Sequence, residues 1–376
     1  MSVENLGTRV RISWSDGVTH DFHPFWLRES SVDPQFRDPK TGHKLLDAED
    51  IPLDVKVTEI TQRDGTLDLQ FSDGHSSSYS LDKLHQAAVH PRTDELIGKK
   101  ILWDGSFSPS WYEQSELESQ PAKLLALLND IASLGFALVR GIPAELNGMA
   151  RFIDQLGYMR ITNNGGIEDI KALPSAKVYD LSMTPRALEP HCDNPYRVPQ
   201  PGYTLLHCIR NDAQGGESAL IDGLYVADRI RRDRPDLFEA LSTVPIVFRY
   251  ADDQAILEHT CPFLDVTEDG TVTHARFHGR CDQVTATDPA VLSKFYEARR
   301  MYSKIIMSDA AQLQFKLQPG EMFMVDNYRL FHARRGFRLD SGIRHMQQAY
   351  IDRDVVSSRQ KTLLRDINAK PWKSRI

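Results

Sequence analysis

Six consecutive residues constrain this chain more than any others: Pro190-His191-Cys192-Asp193-Asn194-Pro195. His191 and Asp193 stand at i and i+2. On an extended strand alternate side chains point to the same side, so both can reach one metal ion. Far downstream, Phe323-Met324-Val325-Asp326-Asn327-Tyr328-Arg329-Leu330-Phe331-His332 follows the turn Pro319-Gly320-Glu321, and His332 ends its apolar run. Two histidines and one carboxylate on one face of a β scaffold make the facial triad of non-haem Fe(II) oxygenases, which leaves coordination positions open. A lone His-x-Asp pair arises often by chance. The ordered series around it carries the reading. Gly215-Gly216-Glu217-Ser218 comes next, then a strand Ala219–Asp222, then Pro319-Gly320 ahead of His332. Arg344 follows on the next strand, where a guanidinium can fork onto a carboxylate.

The rest of the chain suits such a scaffold. Residues 8–80 alternate in short runs broken at Asp16-Gly17, Arg63-Asp64-Gly65 and Asp73-Gly74. Asp-Gly between alternating runs is a strong hairpin signal, so this part is expected to be a small antiparallel β domain, residues 1–100, with a long polar loop at Arg28–Leu45. Ser106–Gln120 has no clear period and reads as a linker. Pro121–Ser133 places Leu124, Leu125, Leu127, Leu128 and Ile131 at helical spacing with Pro121 in the first turn. From there β-runs mix with a few helices such as Ala290–Ser308, and residues 101–376 form the larger domain.

Composition excludes several function classes. With 45 basic and 52 acidic residues the net charge is −7, which disfavours a general nucleic-acid binder. The start lacks the apolar run of a secretory signal, and no window approaches about 18 consecutive apolar residues, so no membrane association is expected. Cys192, Cys208, Cys261 and Cys281 are irregularly spaced with no Cys-x-x-Cys pair, which reads as a reducing, cytoplasmic setting. Cys192 points away from its two neighbours and reads as packing.

Taken together, His191–Pro195, Pro201-Gly202 with Leu205–Cys208, Gly215–Ser218 with Asp222-Gly223, Asp326–Arg335, Arg344–Tyr350 and Trp26-Leu27-Arg28 resemble one family. It is the γ-butyrobetaine and trimethyllysine hydroxylases, within the TauD-like 2-oxoglutarate dioxygenases. The resemblance implies a mainly β fold with some helices: a double-stranded β-helix (jelly-roll) catalytic domain behind the small N-terminal domain. It implies Fe(II) held by His191, Asp193 and His332, and 2-oxoglutarate with its distal carboxylate on Arg344 and the Ser218 hydroxyl. It also implies O2 as co-substrate, oxidative decarboxylation coupled to C–H hydroxylation, and a homodimer. Beyond the metal ligands no catalytic side chain is required.

Two departures from the family bear on function. Animal γ-butyrobetaine enzymes carry zinc on three cysteines and one histidine in the N-terminal module. The corresponding positions here are Ser31, Asp33, Phe36 and His75, and one histidine does not hold structural zinc, so none is expected. The family also holds a trimethylammonium group in an aromatic cage. Here the cage positions fall on Asn164, Glu168 and Met183, with Tyr350 retained. Positions that bind the substrate carboxylate fall on Asp180 and His278, and Asn194 and Arg280 complete the expected pocket. Acidic Asp180 and Glu168 attract a quaternary cation, while Arg276, His278 and Arg280 offer donors for a strongly anionic end. That mixture points to a zwitterionic small molecule, with 2-(trimethylammonio)ethylphosphonate preferred over γ-butyrobetaine. The same charges can also be read as a solvated face. Other readings are a non-catalytic jelly-roll binding protein, which the intact ligand set argues against, and a zinc hydrolase, which leaves Arg344 unexplained.

Overall fold

A computed structural model of the chain describes residues 1–89, 96–171, 185–285 and 288–368. The chain divides into two compact units, Met1–Thr93 and Asp94–Ile376. Among the described residues no helix is long and apolar enough to cross a membrane.

The first unit is built from two three-stranded antiparallel sheets. One comprises β1 (Ser2–Asn5), β2 (Val10–Ser13) and β3 (Thr19–Phe22), the other β4 (Val57–Arg63), β5 (Thr66–Phe71) and β6 (Ser76–Ser80). The glycines of the expected turns, Gly17, Gly65 and Gly74, all have positive φ, which the tight hairpins require. The polar loop is preceded by a short helix, Pro24–Glu29, whose first turn accepts Pro24 because that position has no intrahelical N–H bond to lose. Val10, Ile12, Leu27, Leu67 and Leu69 are buried in one core.

Beside that core the four positions discussed above lie close together. His75 Nε2 and Ser31 Oγ are 3.2 Å apart, Ser31 Oγ bonds Ser77 Oγ at 2.8 Å, and the Phe36 ring meets the His75 ring edge-on at 4.7 Å. Arg28 lies 4.6 Å over Phe36 and donates to Asp73 at 2.7 Å, with side chains only 5% and 11% exposed. Burial alone would lift the Asp73 pKa, but Arg28 and the His75 N–H pull it below the ordinary carboxylate value. The pair's contribution is therefore present at neutral pH and lost as pH falls through that lowered value.

In the second unit the described strands are, in order, β7 (Trp111–Glu113), β8 (Phe136–Arg140), β9 (Ile167–Lys171), β10 (Leu188–His191), β11 (Tyr203–Asn211) and β12 (Ser218–Asp222). There follow β13 (Ile246–Ala251), β14 (Ile256–Cys261), β15 (Leu264–Val266), β16 (Val272–Ala275) and β17 (Asp282–Val284). The last are β18 (Leu313–Phe315), β19 (Met322–Asp326), β20 (Leu330–Arg334) and β21 (Arg344–Ile351). A six-stranded sheet in the order β7-β8-β19-β11-β21-β9 and a four-stranded sheet in the order β10-β20-β12-β18 form the jelly roll. Phe136, Leu138, Phe323, Val325 and Met346 from the larger sheet share one apolar cluster with Leu220, Leu313 and Leu330 from the smaller. The strand alternation follows from this. On β19 Phe323 and Val325 join that cluster, while Met322 and Met324 join a second one with the helix Pro121–Leu134.

That helix buries Leu124, Leu127, Leu128 and Ile131, and Gly135 ends it at φ +85° with its N–H on the Ile131 carbonyl. A Cβ on Gly135 would lie 2.9 Å from Arg329 Cδ. The outer face of the smaller sheet, including Ile221 and Phe331, is covered by the helices Gly223–Asp233, Pro235–Thr243 and Pro289–Ile306. The expected linker at Ser106–Gln120 is instead structured. Trp111–Glu113 pairs in parallel with β8, and Gln114–Ser119 is a helix that buries Leu117. Its apolar residues are too few to show a period, and strand pairing decides its conformation.

Asp73→Ala should leave Arg28 buried without its carboxylate. We expect a loss of about 3–5 kcal/mol, read as a lower denaturation midpoint for the N-terminal unit, and an unchanged midpoint would refute the role given to this pair.

Candidate functional site

His191 and His332 become neighbours through strand register. β10 and β20 are antiparallel and pair His191 directly opposite His332, with ring centroids 4.4 Å apart. Asp193 follows β10 by two residues, and its Oδ1 lies 3.5 Å from His191 Nε2 and 3.6 Å from His332 Nε2. The three ligand atoms fall within 4.8 Å of one another. Asn194 has φ +51°, a left-handed conformation that asparagine tolerates, and it turns the chain away at once.

A second contact fixes Asp193. Asn327 lies in the corner where the chain crosses from the larger sheet to the smaller, between β19 and β20. Its Oδ1 accepts the Asp193 N–H at 2.7 Å, and its Nδ2 donates to the carbonyls of Asp193 and Pro201, both at 2.9 Å. Asn327 is fully buried. The corner that leads into the strand of His332 thus also grips the peptide groups of Asp193.

The donor set suits a divalent metal. His191 Nδ1 donates to the Glu189 carbonyl at 2.8 Å, so Nε2 keeps its lone pair for a ligand. Burial lowers the His332 pKa to about 4, against the opposing pull of Asp193, and a neutral imidazole is the ligating form. For Asp193 burial favours the neutral acid, but His332 and His191 outweigh it and hold the carboxyl well below its usual range.

These groups open on a cavity of about 450 Å³. At one end stands Arg344, 5% exposed, beside Arg334, 4% exposed, on the neighbouring sheet. Burial and then repulsion from Arg334 lower the Arg344 pKa to about 9, and its Nε has no hydrogen-bond partner among the described residues. Ser218 pairs opposite Arg334 across β12 and β20 and lines the same end. The glycines before it serve close packing. A Cβ on Gly215 would sit 2.4 Å from the Gly336 carbonyl at φ +84°. An anion placed here would meet two buried guanidinium groups and a hydroxyl.

The remaining walls carry both charges and rings. Asn164, Glu168, Asn194, His278, Arg280 and Tyr350 all line the cavity. Asp180 and Met183 lie outside the described residues. His278 packs edge-on against His191 at 5.1 Å, and burial followed by His191 lowers its pKa to about 3. It is a neutral group at physiological pH. Arg276 corrects the sequence reading, because its guanidinium turns away and forks onto Asp265 at 2.8 and 2.6 Å. Strand alternation does not explain this, because residues two apart share a face on an extended strand. The chain has left β16 at Ala275, and the Asp265 carboxylate takes the Arg276 guanidinium. Cys192 is fully buried in the apolar cluster with Ile221 and Phe331.

Several lining residues escaped sequence reasoning. Tyr196 and Tyr250 stack at 5.2 Å and line the cavity with Arg249, which donates to Glu258 at 2.7 Å. Arg334 and Gln348 carried a usable signal, since each stands two residues from a named site residue on one strand. Tyr250 and Arg249 lie on β13, whose position no local pattern fixes.

Three comparisons bear on identity. Residues 108–350 match the family described as taurine catabolism dioxygenase TauD, TfdA family, and residues 1–85 match gamma-butyrobetaine hydroxylase-like, N-terminal. A gamma-butyrobetaine dioxygenase of Pseudomonas sp. (strain AK-1) is 28% identical over 369 residues, spanning 97% of this chain and 96% of its own. The mitochondrial trimethyllysine dioxygenase of Gallus gallus is 26% identical, spanning 95% of this chain and 86% of its own. Among solved structures, an asparagine oxygenase in complex with Fe(II), 2S,3S-3-hydroxyasparagine and succinate shares the fold. Its TM-score is 0.51 at 19% identity, over 63% of this chain and 80% of that one. The chain is a dioxygenase and belongs to the TauD/TfdA family.

Proposed function

We propose that this dioxygenase uses Fe(II) and 2-oxoglutarate to hydroxylate a small quaternary-ammonium zwitterion, and that the anionic end of that substrate is a phosphonate. One observation carries the reading. A single cavity holds the His191, Asp193 and His332 cluster and, at its end, a buried Arg344 with no acidic partner among the described residues. A buried guanidinium calls for an anion, and a dianion that reaches both places is what 2-oxoglutarate provides.

His191, Asp193 and His332 would hold the iron, which when bound supplies O2-dependent C–H hydroxylation coupled to conversion of 2-oxoglutarate to succinate and CO2. Arg344 and Ser218 bind the distal carboxylate, and Arg334 adds a second positive charge there. The protein's remaining task is to place one C–H bond and exclude water. Tyr196, Tyr250 and Tyr350 offer ring faces to a trimethylammonium group, and Glu168 adds negative charge. The relatives' names support a trimethylammonium substrate, since γ-butyrobetaine and trimethyllysine both carry that group. At the anionic end Arg280, Arg249 and the neutral His278 supply donors, and a phosphonate makes fuller use of two guanidinium groups than a carboxylate does. The four cysteines are free, which suits a reducing compartment, and we place the enzyme in the cytoplasm.

A second reading has γ-butyrobetaine as substrate, favoured by the relative that matches nearly end to end. A panel of 2-(trimethylammonio)ethylphosphonate and γ-butyrobetaine, scored by succinate release and product mass, separates the two. We expect the phosphonate to have the higher kcat/KM, and a tenfold preference for the carboxylate would overturn that choice. Arg280→Ala should lower kcat/KM for the phosphonate about 10-fold, the loss of one charge-assisted hydrogen bond, and spare the carboxylate more.

The cofactor assignment has its own test. Anaerobic addition of Fe(II) and 2-oxoglutarate should produce a weak visible charge-transfer band, absent in Asp193→Ala. In Arg344→Met the 2-oxoglutarate concentration needed to reach half of that band should rise at least tenfold, because a buried charged hydrogen-bond pair is lost. A folded wild-type protein with no band would refute the oxygenase reading.

A further inference from the structure

The two oxygens of the Asp193 carboxylate have different surroundings. Oδ1 faces both imidazoles. Oδ2 accepts from Thr204 Oγ1 at 3.0 Å and from Gln348 Nε2 at 2.8 Å. A primary amide nitrogen has two hydrogens, and Gln348 gives its second to the Tyr350 hydroxyl. Thr204 is fully buried on β11, where it pairs opposite Tyr350 on β21. Gln348 and Tyr350 stand two apart on β21, share a face, and both line the cavity. One nitrogen atom therefore joins the carboxylate that faces the histidines to an aromatic side chain on the cavity wall.

We infer that Gln348 is a positioning residue with two effects. It keeps Oδ2 engaged, so that Oδ1 alone is presented toward the histidine nitrogens. It also links Tyr350 to that carboxylate, so a ligand that displaces the Tyr350 hydroxyl must disturb the hydrogen bonding of Asp193. Thr204 performs only the first task, since its hydroxyl reaches Asp193 and not Tyr350. Gln348 is only partly buried and has room to follow the tyrosine. The first effect follows from the hydrogen bonds together with a metal at the triad. The second rests on the proposed function, in which substrate lies against Tyr350.

Calorimetric titration of the full chain with Co(II), without 2-oxoglutarate or substrate, tests the first effect. Gln348→Leu removes both donors, and its Co(II) affinity should fall about 10-fold, the lower end of what loss of an outer-sphere partner costs. Gln348→Met, longer and also without a donor, repeats the measurement if the leucine variant folds poorly, as judged by thermal unfolding. Tyr350→Phe keeps the Gln348 bond to Asp193 and should weaken Co(II) binding less than Gln348→Leu does. The second effect is read from the visible spectrum of the Co(II) protein with 2-oxoglutarate. Saturating 2-(trimethylammonio)ethylphosphonate or γ-butyrobetaine, whichever the wild type turns over, should alter that spectrum in the wild type. The change should be lost in Gln348→Leu and Tyr350→Phe. Wild-type Co(II) affinity in both Gln348 variants, or a full spectral change in Gln348→Leu, would overturn this inference alone. Failure of the wild type to bind Co(II) would instead overturn the metal-site reading on which the proposed function stands.

Discussion

Everything at this site depends on one buried amide. Asn327 uses its side chain to satisfy both the N–H and the C=O of Asp193, much as a neighbouring strand would. Asp193 has already left β10 when it must face two strand-borne histidines, so no ladder bond holds it. An irregular segment buried in a core has to find partners for its polar groups, and Asn327 provides them. Because Asn327 belongs to the β19–β20 corner, the two ends of the ligand set are fastened to each other. Thr204 and Gln348 hold the Asp193 carboxylate, but Asn327 alone meets both peptide groups of that residue among the described residues.

Charge is arranged with comparable economy. The cavity holds buried arginines at one end, the imidazoles of His332 and His278 held neutral by burial in the middle, and a carboxylate that accepts hydrogen bonds from Thr204 and Gln348. Burial works against each charged form, and local partners decide which groups keep their charge. Asp193 stays below the usual carboxylate range, and the donors on its Oδ2, Thr204 and Gln348, favour the ionised form. Arg344 lies over the Phe337 ring and beside Arg334, so its charge is held without compensation from any described acid. The overall charge of −7 gives no hint of this distribution.

Much of the jelly roll and of the ligand cluster was legible in the sequence, because both are written in strand alternation. His191 and Asp193 lie two apart, His332 and Arg334 lie two apart, and Arg344 opens a strand whose even-numbered residues face inward. The hairpins of the N-terminal unit were legible from their Asp-Gly turns. The contrary fate of Arg276 and His278 was not readable by the same rule, since residues two apart share a face on a strand and the chain has left β16 before either of them. Tyr196, Tyr250 and Asn327 were not legible. Their place depends on how separate segments cross, and a single sequence has no local pattern that records a crossing. The helix Gln114–Ser119 was missed because so short an element shows no period.

The origin of each cavity wall has a consequence for selectivity. His191, His332 and Arg344 sit on paired strands of the two sheets, with Asp193 clamped beside them, where a one-residue slip would turn every side chain to the wrong face. Tyr250, Arg280 and Asn164 come instead from a small satellite strand and from connecting segments, where backbone constraints are looser. Substitutions there can therefore change what the cavity recognises without moving the cluster of His191, Asp193 and His332. The periphery of the cavity, more than its centre, is where its selectivity can be edited.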